Sequence, residues 1–223
     1  MTSLVYLPML AESGGGRVKG EWAAEPKLDG WRAIVTVDRS LPVGFEVRSR
    51  TGRFITTHVP ELGGLTDLGF RMVLDAELVA VSDEGHVDFY RLGERMLSKY
   101  AKRSVTLCAF DVLWLDGIDC TQLPYRERRR VLEMLELSGP AWCTVPQFPF
   151  DDAEDLLDAC ARLRQEGIVL KRLDARYTPG VRTDAWRKVK TAVWRTNHGP
   201  RRLPKEIRER ILAAQVDAMR RQS

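Results

Sequence analysis

Strand-length apolar segments set most of what this chain can become. Arg32-Ala33-Ile34-Val35-Thr36-Val37 and Phe45-Glu46-Val47-Arg48-Ser49 are rich in β-branched and aromatic residues. Met72 to Val81, Val105 to Leu115 and Gly167 to Leu173 are further apolar runs of the same kind. Segments of this length and content read as strands. Helical periodicity is more local. Tyr125 to Leu137 puts Val131, Leu132 and Leu135 on one stripe, opposite an Arg/Glu face. Asp151 to Arg164 opens with acids, which suit a helix N-terminus, and carries Leu156, Leu157, Cys160 and Leu163 on one side. Many strands with interspersed helices predict an α+β fold with largely antiparallel sheets. Residues 1–20 read as a lead-in, with Ser13-Gly14-Gly15-Gly16 as a loop.

A length of 223 residues allows one large domain, or one domain with a small appendage. The hydrophobic share of 44% fits a packed core rather than a disordered chain. The sequence reads without a signal peptide, and no segment approaches the ~20 apolar residues of a membrane helix. Cys108, Cys120, Cys143 and Cys160 form no C-x-x-C pair and have no clustered histidines, which argues against structural zinc. They read as reduced thiols of a cytoplasmic protein.

The net charge of +4 permits nucleic-acid binding without demonstrating it. The excess is concentrated at one end. From Arg195 onward there are eight Arg/Lys and three acids, a net +5 that leaves −1 for the rest. Pro204 to Met219 places Ile207, Ile211, Leu212, Val216 and Met219 on one helical stripe. A docked C-terminal helix with a solvated basic face is one reading of this tail, and a basic arm for a DNA backbone is the other. The expected division is therefore 1–194 for the main domain and 195–223 for the basic tail.

The residues with chemical potential fall in five segments. Glu25-Pro26-Lys27-Leu28-Asp29-Gly30-Trp31-Arg32 offers a nucleophile. A lysine attacks phosphorus as the neutral amine, giving a phosphoramidate, and needs nearby cations to absorb the developing charge. Leu74-Asp75-Ala76-Glu77-Leu78-Val79 sets acids inside an apolar strand, where each needs a partner or a job. Ala109-Phe110-Asp111-Val112 is a strand with a leading aromatic, and Glu166-Gly167-Ile168-Val169-Leu170-Lys171 begins at an acid. Trp186-Arg187-Lys188-Val189-Lys190 alternates, so Lys188 and Lys190 project to one face as a clamp for a triphosphate. Any one of these segments also fits a purely structural role, such as an edge strand with exposed lysines.

Taken in order, they form K-x-D-G-x-R, S-R-x-G at Ser49 to Gly52, a D-G-E-like strand, F-D, E-G-[IV]-[VI]-x-K and W-x-K-x-K. This series resembles the covalent nucleotidyltransferases, and within them the ATP-dependent DNA ligases. The resemblance covers roughly residues 5–192. It is nearest to bacterial ligases of the end-joining type, through Leu7-Pro8-Met9-Leu10-Ala11, Tyr125-Arg126-Glu127-Arg128-Arg129 and Lys171 to Gly180.

The resemblance implies an ATP-grasp-like nucleotidyltransferase fold and a role at each matching position. Lys27 is the nucleophile that takes AMP from ATP, and Glu25 helps recognise adenine. Arg32 and Arg50 contact AMP and the DNA 5′-phosphate. Glu77 serves the ribose and the metal, and Glu166 is a second metal-binding acid. Phe110 stacks on adenine. Arg182, Lys188 and Lys190 are the phosphate-side cations. The implied cofactors are ATP and Mg²⁺ or Mn²⁺, and the implied acceptor is nicked double-stranded DNA in repair or recombination.

Two departures bear on the reading. The family commonly has Gly where this chain has Ala76. It also usually carries an OB-fold after W-x-K-x-K, whereas 33 residues follow Lys190 here, too few for a five-stranded barrel. A protein partner supplying that domain or a DNA clamp is one expectation. A nucleotidyltransferase acting on RNA or a small acceptor, and a non-catalytic nick or nucleotide binder, are the alternatives. The complete set of Lys27, Glu77, Glu166, Lys188 and Lys190 argues against the last.

Overall fold

A computed structural model describes residues 6–14, 18–82, 85–97 and 103–197. In chain order the strands are β1 (Leu10–Ser13), β2 (Trp22–Lys27), β3 (Trp31–Val37), β4 (Phe45–Ser49), β5 (Met72–Ala80), β6 (Val105–Leu115), β7 (Ile118–Asp119), β8 (Trp142–Thr144), β9 (Phe148–Pro149), β10 (Gly167–Arg172) and β11 (Arg182–Lys190). The helices are α1 (Phe89–Leu97), α2 (Tyr125–Met134), α3 (Ala153–Arg162) and α4 (Ala192–Asn197). α4 continues past residue 194, and the expected helix at Pro204 to Met219 lies outside the described residues.

The strands form two sheets, one in the order β1-β11-β10-β2-β9 and the other β4-β3-β5-β6-β7, with β8 added to β6. Pairing is antiparallel except for β1 with β11 and β6 with β8. This is the expected α+β, largely antiparallel architecture.

Period-2 alternation decides which side chains reach the space between the sheets. In the second sheet Ala33, Val35, Leu74, Ala76, Leu78, Leu107 and Ala109 face the main core, where Leu62, Leu65, Leu92 and Leu132 cover them. Ile34, Val73 and Leu113 turn the other way, against Met9, Tyr177, Ala185 and Trp186 of the first-sheet side. The far face of the first sheet packs Trp22, Ala24, Ile168 and Leu170 on Ala153 and Cys160 of α3. Each sheet thus spends one face on its own core and one on the facing sheet.

One expectation needs correcting. The lead-in contains a strand: β1 pairs in parallel with β11, Leu10 opposite Arg182, and Gly14 N–H donates to Lys188 O at 3.2 Å. The Arg/Glu face of α2 is divided: Arg130 is exposed, whereas Arg128 and Arg129 are buried. Arg128 is 0% exposed and forks onto Asp111 of β6 at 2.7 and 2.9 Å. Its two Nη1 hydrogens go to Leu123 O and Ala175 O at 2.7 and 3.0 Å. A buried guanidinium is tolerable because a buried carboxylate and two carbonyls take four of its five N–H donors.

Candidate active site

The facing sheets leave a cleft of about 1210 Å³. Lys27 ends β2, and Gly30 forms the turn into β3. A Cβ on Gly30 would lie 2.0 Å from Leu78 O, so only glycine lets this turn rest against β5. That contact brings Lys27 and Glu77, distant in sequence and in different sheets, to one cleft.

Lys27 Nζ donates to Glu166 Oε2, and Lys190 Nζ reaches Glu166 Oε1 at 2.8 Å. Register explains the triad: Gly167 of β10 is opposite Lys27 on one side and Lys190 on the other. Gly167 holds φ +152, and a Cβ there would meet Val189 O at 2.0 Å. Burial alone would raise the Glu166 carboxyl, but Lys27 and Lys190 outweigh it and hold it below the usual range. Lys188 also lines the cleft. Burial lowers its ammonium, and Arg182, Lys27 and Lys190 push the same way. Lys27, Lys188, Lys190 and Arg182 thus share one carboxylate, Glu166, and keep a net positive charge.

Glu25 is 2% exposed. Lys171 Nζ reaches its Oε2 at 2.7 Å, Tyr125 Oη–H donates to Oε1, and Arg129 Nη1 stands 3.7 Å from Oε1. Lys171 also donates to Phe110 O at 3.0 Å, and burial lowers its ammonium. Arg32 forks onto the buried Asp75 and donates to Met9 O at 3.1 Å. Tyr177 Oη–H donates to the same carboxylate at 2.6 Å. The Arg32 guanidinium lies 4.6 Å from the Phe110 ring centroid, and Lys171 Nζ lies at the same distance. Burial pushes the Glu77 carboxyl up to about 7, against the pull of Arg32 and Lys27.

Eight of the ten residues expected at the site line this cleft: Glu25, Lys27, Arg32, Arg50, Glu77, Phe110, Arg182 and Lys188. Glu166 joins it through Lys27, and Lys190 through Glu166. Arg50 sits exposed at the turn after β4, and Arg182 is exposed at the start of β11, where it donates to Ala11 O. Sequence reasoning assigned no role to Trp31, Val169, Lys171 and Trp186, which also line the cleft. Val169 and Lys171 were within reach, because alternation from Gly167 puts them on the face of Lys27. Trp186 is buried, and its Nε1–H has no acceptor among the described residues.

The lining carries seven Lys/Arg against two Glu, so the cleft favours a polyanion. Among the described residues no cluster of three or more Asp, Glu, His or Cys gathers for a metal. Two carboxylates beside a phosphate-attracting cleft suit Mg²⁺, which completes its shell with water and phosphate oxygens.

Comparison with known proteins agrees with this geometry. The family model described as ATP dependent DNA ligase domain matches residues 8–190, and the chain belongs to that family. Over 195 residues it is 36% identical to the multifunctional non-homologous end joining protein LigD of Mycolicibacterium smegmatis, covering 86% of this chain and 24% of that protein. The ligase domain from M. tuberculosis LigD superposes with a TM-score of 0.72 at 32% identity, over 83% of this chain and 60% of that one. A mycobacterial DNA ligase D complexed with ATP and MES gives 0.68 at 29% identity, over the same shares. The chain thus spans about a quarter of the length of the curated relatives it matches first. No helix among the described residues is long and apolar enough to cross a membrane.

Proposed function

We propose that this chain carries out the adenylation chemistry of an ATP-dependent DNA ligase, with Lys27 as the nucleophile and nicked duplex DNA as the acceptor. The observation that carries the reading is Lys27 in a cationic cleft, held by Glu166 among Lys188, Lys190 and Arg182. Lys27 Nζ forms a bond to the α-phosphorus of ATP as the bond to the β-phosphate oxygen breaks, and pyrophosphate leaves. AMP then passes to the 5′-phosphate at the nick. The adjacent 3′-hydroxyl attacks that phosphorus, seals the strand and releases AMP. The covalent intermediate divides one hard condensation into easier steps.

The residues divide the work by chemistry. Phe110 supplies a π-face for adenine, and Glu25, fixed by Lys171 and Tyr125, reads its edge. Arg182, Lys188 and Lys190 neutralise phosphate charge, and Arg32 and Arg50 serve AMP and the 5′-phosphate. Glu77 and Glu166 are the carboxylates that would hold Mg²⁺ or Mn²⁺, whose chemistry is to neutralise charge on the transferred phosphate.

Incubation with α-labelled ATP and Mg²⁺, followed by a denaturing gel or intact mass, tests the reading. We expect an added AMP in the native chain and none in Lys27→Ala. An adduct that survives in Lys27→Ala removes Lys27 from the role. No adduct in a folded native protein overturns self-adenylation.

A further inference from the structure

Two thiols meet behind the cleft wall, and the ligation chemistry uses neither. Cys108 of β6 and Cys143 of β8 are direct partners in the parallel pair, with their Sγ atoms 3.6 Å apart in an S–H···S contact. Neighbouring strands run about 4.7–4.9 Å apart, inside the Cα window of roughly 4.4–6.8 Å that a disulfide spans. An S–S bond is about 2.05 Å long, so the sulfurs need to close by only about 1.5 Å. Cys108 is buried and Cys143 half-buried, which leaves one member within reach of a small oxidant. Their contact, with burial added, pushes the Cys108 thiol well up, while the same contact draws Cys143 down to about 7.

The pair is built into the nucleotide end of the cleft. Cys108 and Cys143 pack with Leu28, Val79, Phe110 and Val145. Leu28, Phe110 and Val145 line the cleft, and Cys108 is the register partner of Glu77. A packed interior transmits a shift of this size instead of absorbing it.

We propose that Cys108 and Cys143 form a dithiol–disulfide site whose oxidation by a peroxide reshapes the adenine end of the cleft and weakens nucleotide binding. The Cys143 thiolate attacks one oxygen of hydrogen peroxide, the O–O bond breaks, and a sulfenic acid forms with release of hydroxide, which takes up the thiol proton as water. Cys108 then attacks that sulfur, the S–O bond breaks, and its own proton leaves with the hydroxyl as a second water. Two thiols are oxidised by two electrons in all, and one peroxide is reduced to two waters. A dithiol reductant reverses the bond.

The cross-link rests on strand geometry, whereas its effect on binding rests on the nucleotide-site reading. The test uses the full chain, treated with hydrogen peroxide or left reduced, with thiol titration, peptide mapping and ATP affinity measured on each. We expect free thiols to fall from four to two, a Cys108–Cys143 cross-linked peptide, and a several-fold loss of ATP affinity that dithiothreitol restores. Cys143→Ser should bind ATP normally when reduced and lose nothing to peroxide. Cys108→Ser should likewise give no cross-link. Retention of all four thiols, or sulfinic acid at Cys143 without a link, overturns the site. A link that leaves ATP affinity unchanged overturns the coupling. A reduced protein that fails to bind ATP refutes the nucleotide reading and the coupling with it, while the peptide map still decides the disulfide.

Discussion

Glu77 shows how one side chain records the character of the cleft. Burial raises its carboxyl from 4.5 to about 7, although Arg32 and Lys27 oppose the rise. The folded protein therefore keeps a proton that the unfolded chain has released, so stability falls as pH rises between about 4.5 and 7 and levels off above. Glu77→Gln removes that dependence. Its urea midpoint should exceed the native one at pH 8, and the gap should close toward pH 4.5, while adenylation is lost with the carboxylate. A gap independent of pH would exclude Glu77 as its source. Phe110 makes the complementary case for the base. Replacing its ring by alanine should weaken ATP binding by about 1 kcal/mol, roughly five-fold, with the fold retained. An unchanged ATP dependence in adenylation assays would exclude the stack.

Among the elements, the long strands were the most legible, because alternation and β-branching act locally. Val105–Leu115 appears with the bounds its apolar run suggested, and Arg182–Lys190 delivers Lys188 and Lys190 to one side. β1 is only four residues long, and its pairing with β11 depends on chain some 170 residues away, so no local pattern announced it. The same separation hid the role of α2. Its apolar stripe is visible in sequence, but Arg128 and Tyr125 look like surface residues until Asp111 and Glu25 are brought to them. The Lys27–Glu166 contact crosses 139 residues, and family resemblance assigned both residues to one site without pairing them. Arg128→Met should cost roughly 3–5 kcal/mol, since it strands Asp111 without a counterion. Adding Asp111→Leu should recover much of that loss in chemical denaturation. Equal losses in the single and double variants would mean that packing, not the buried charge, is at stake. In the turn between β2 and β3, Gly30→Ala should separate Lys27 from Glu77 and abolish the adduct, given the 2.0 Å approach to Leu78 O.

At the scale of the whole molecule, the site and the basic excess occupy different parts of the chain. Every proposed site residue lies within 8–190, the stretch the ligase family matches. Arg195 to Ser223 holds the +5 that makes the chain basic. If the cleft needs only its own two sheets, deleting 200–223 should leave the AMP adduct intact, because neither Lys27, Glu166 nor the cations around them are touched. Binding to nicked duplex DNA should respond differently. A tail cation that meets a phosphate releases counterions, so removing it lowers the slope of log K against log salt by about 0.9. The truncated protein should therefore bind nicked DNA more weakly at low salt and with a flatter salt dependence, while its ATP requirement is unchanged. Equal slopes for the two proteins would leave the tail as a docked helix with a solvated face. Loss of the adduct would instead make the tail part of the adenylation machinery, and would tie the two ends of the chain into one functional unit.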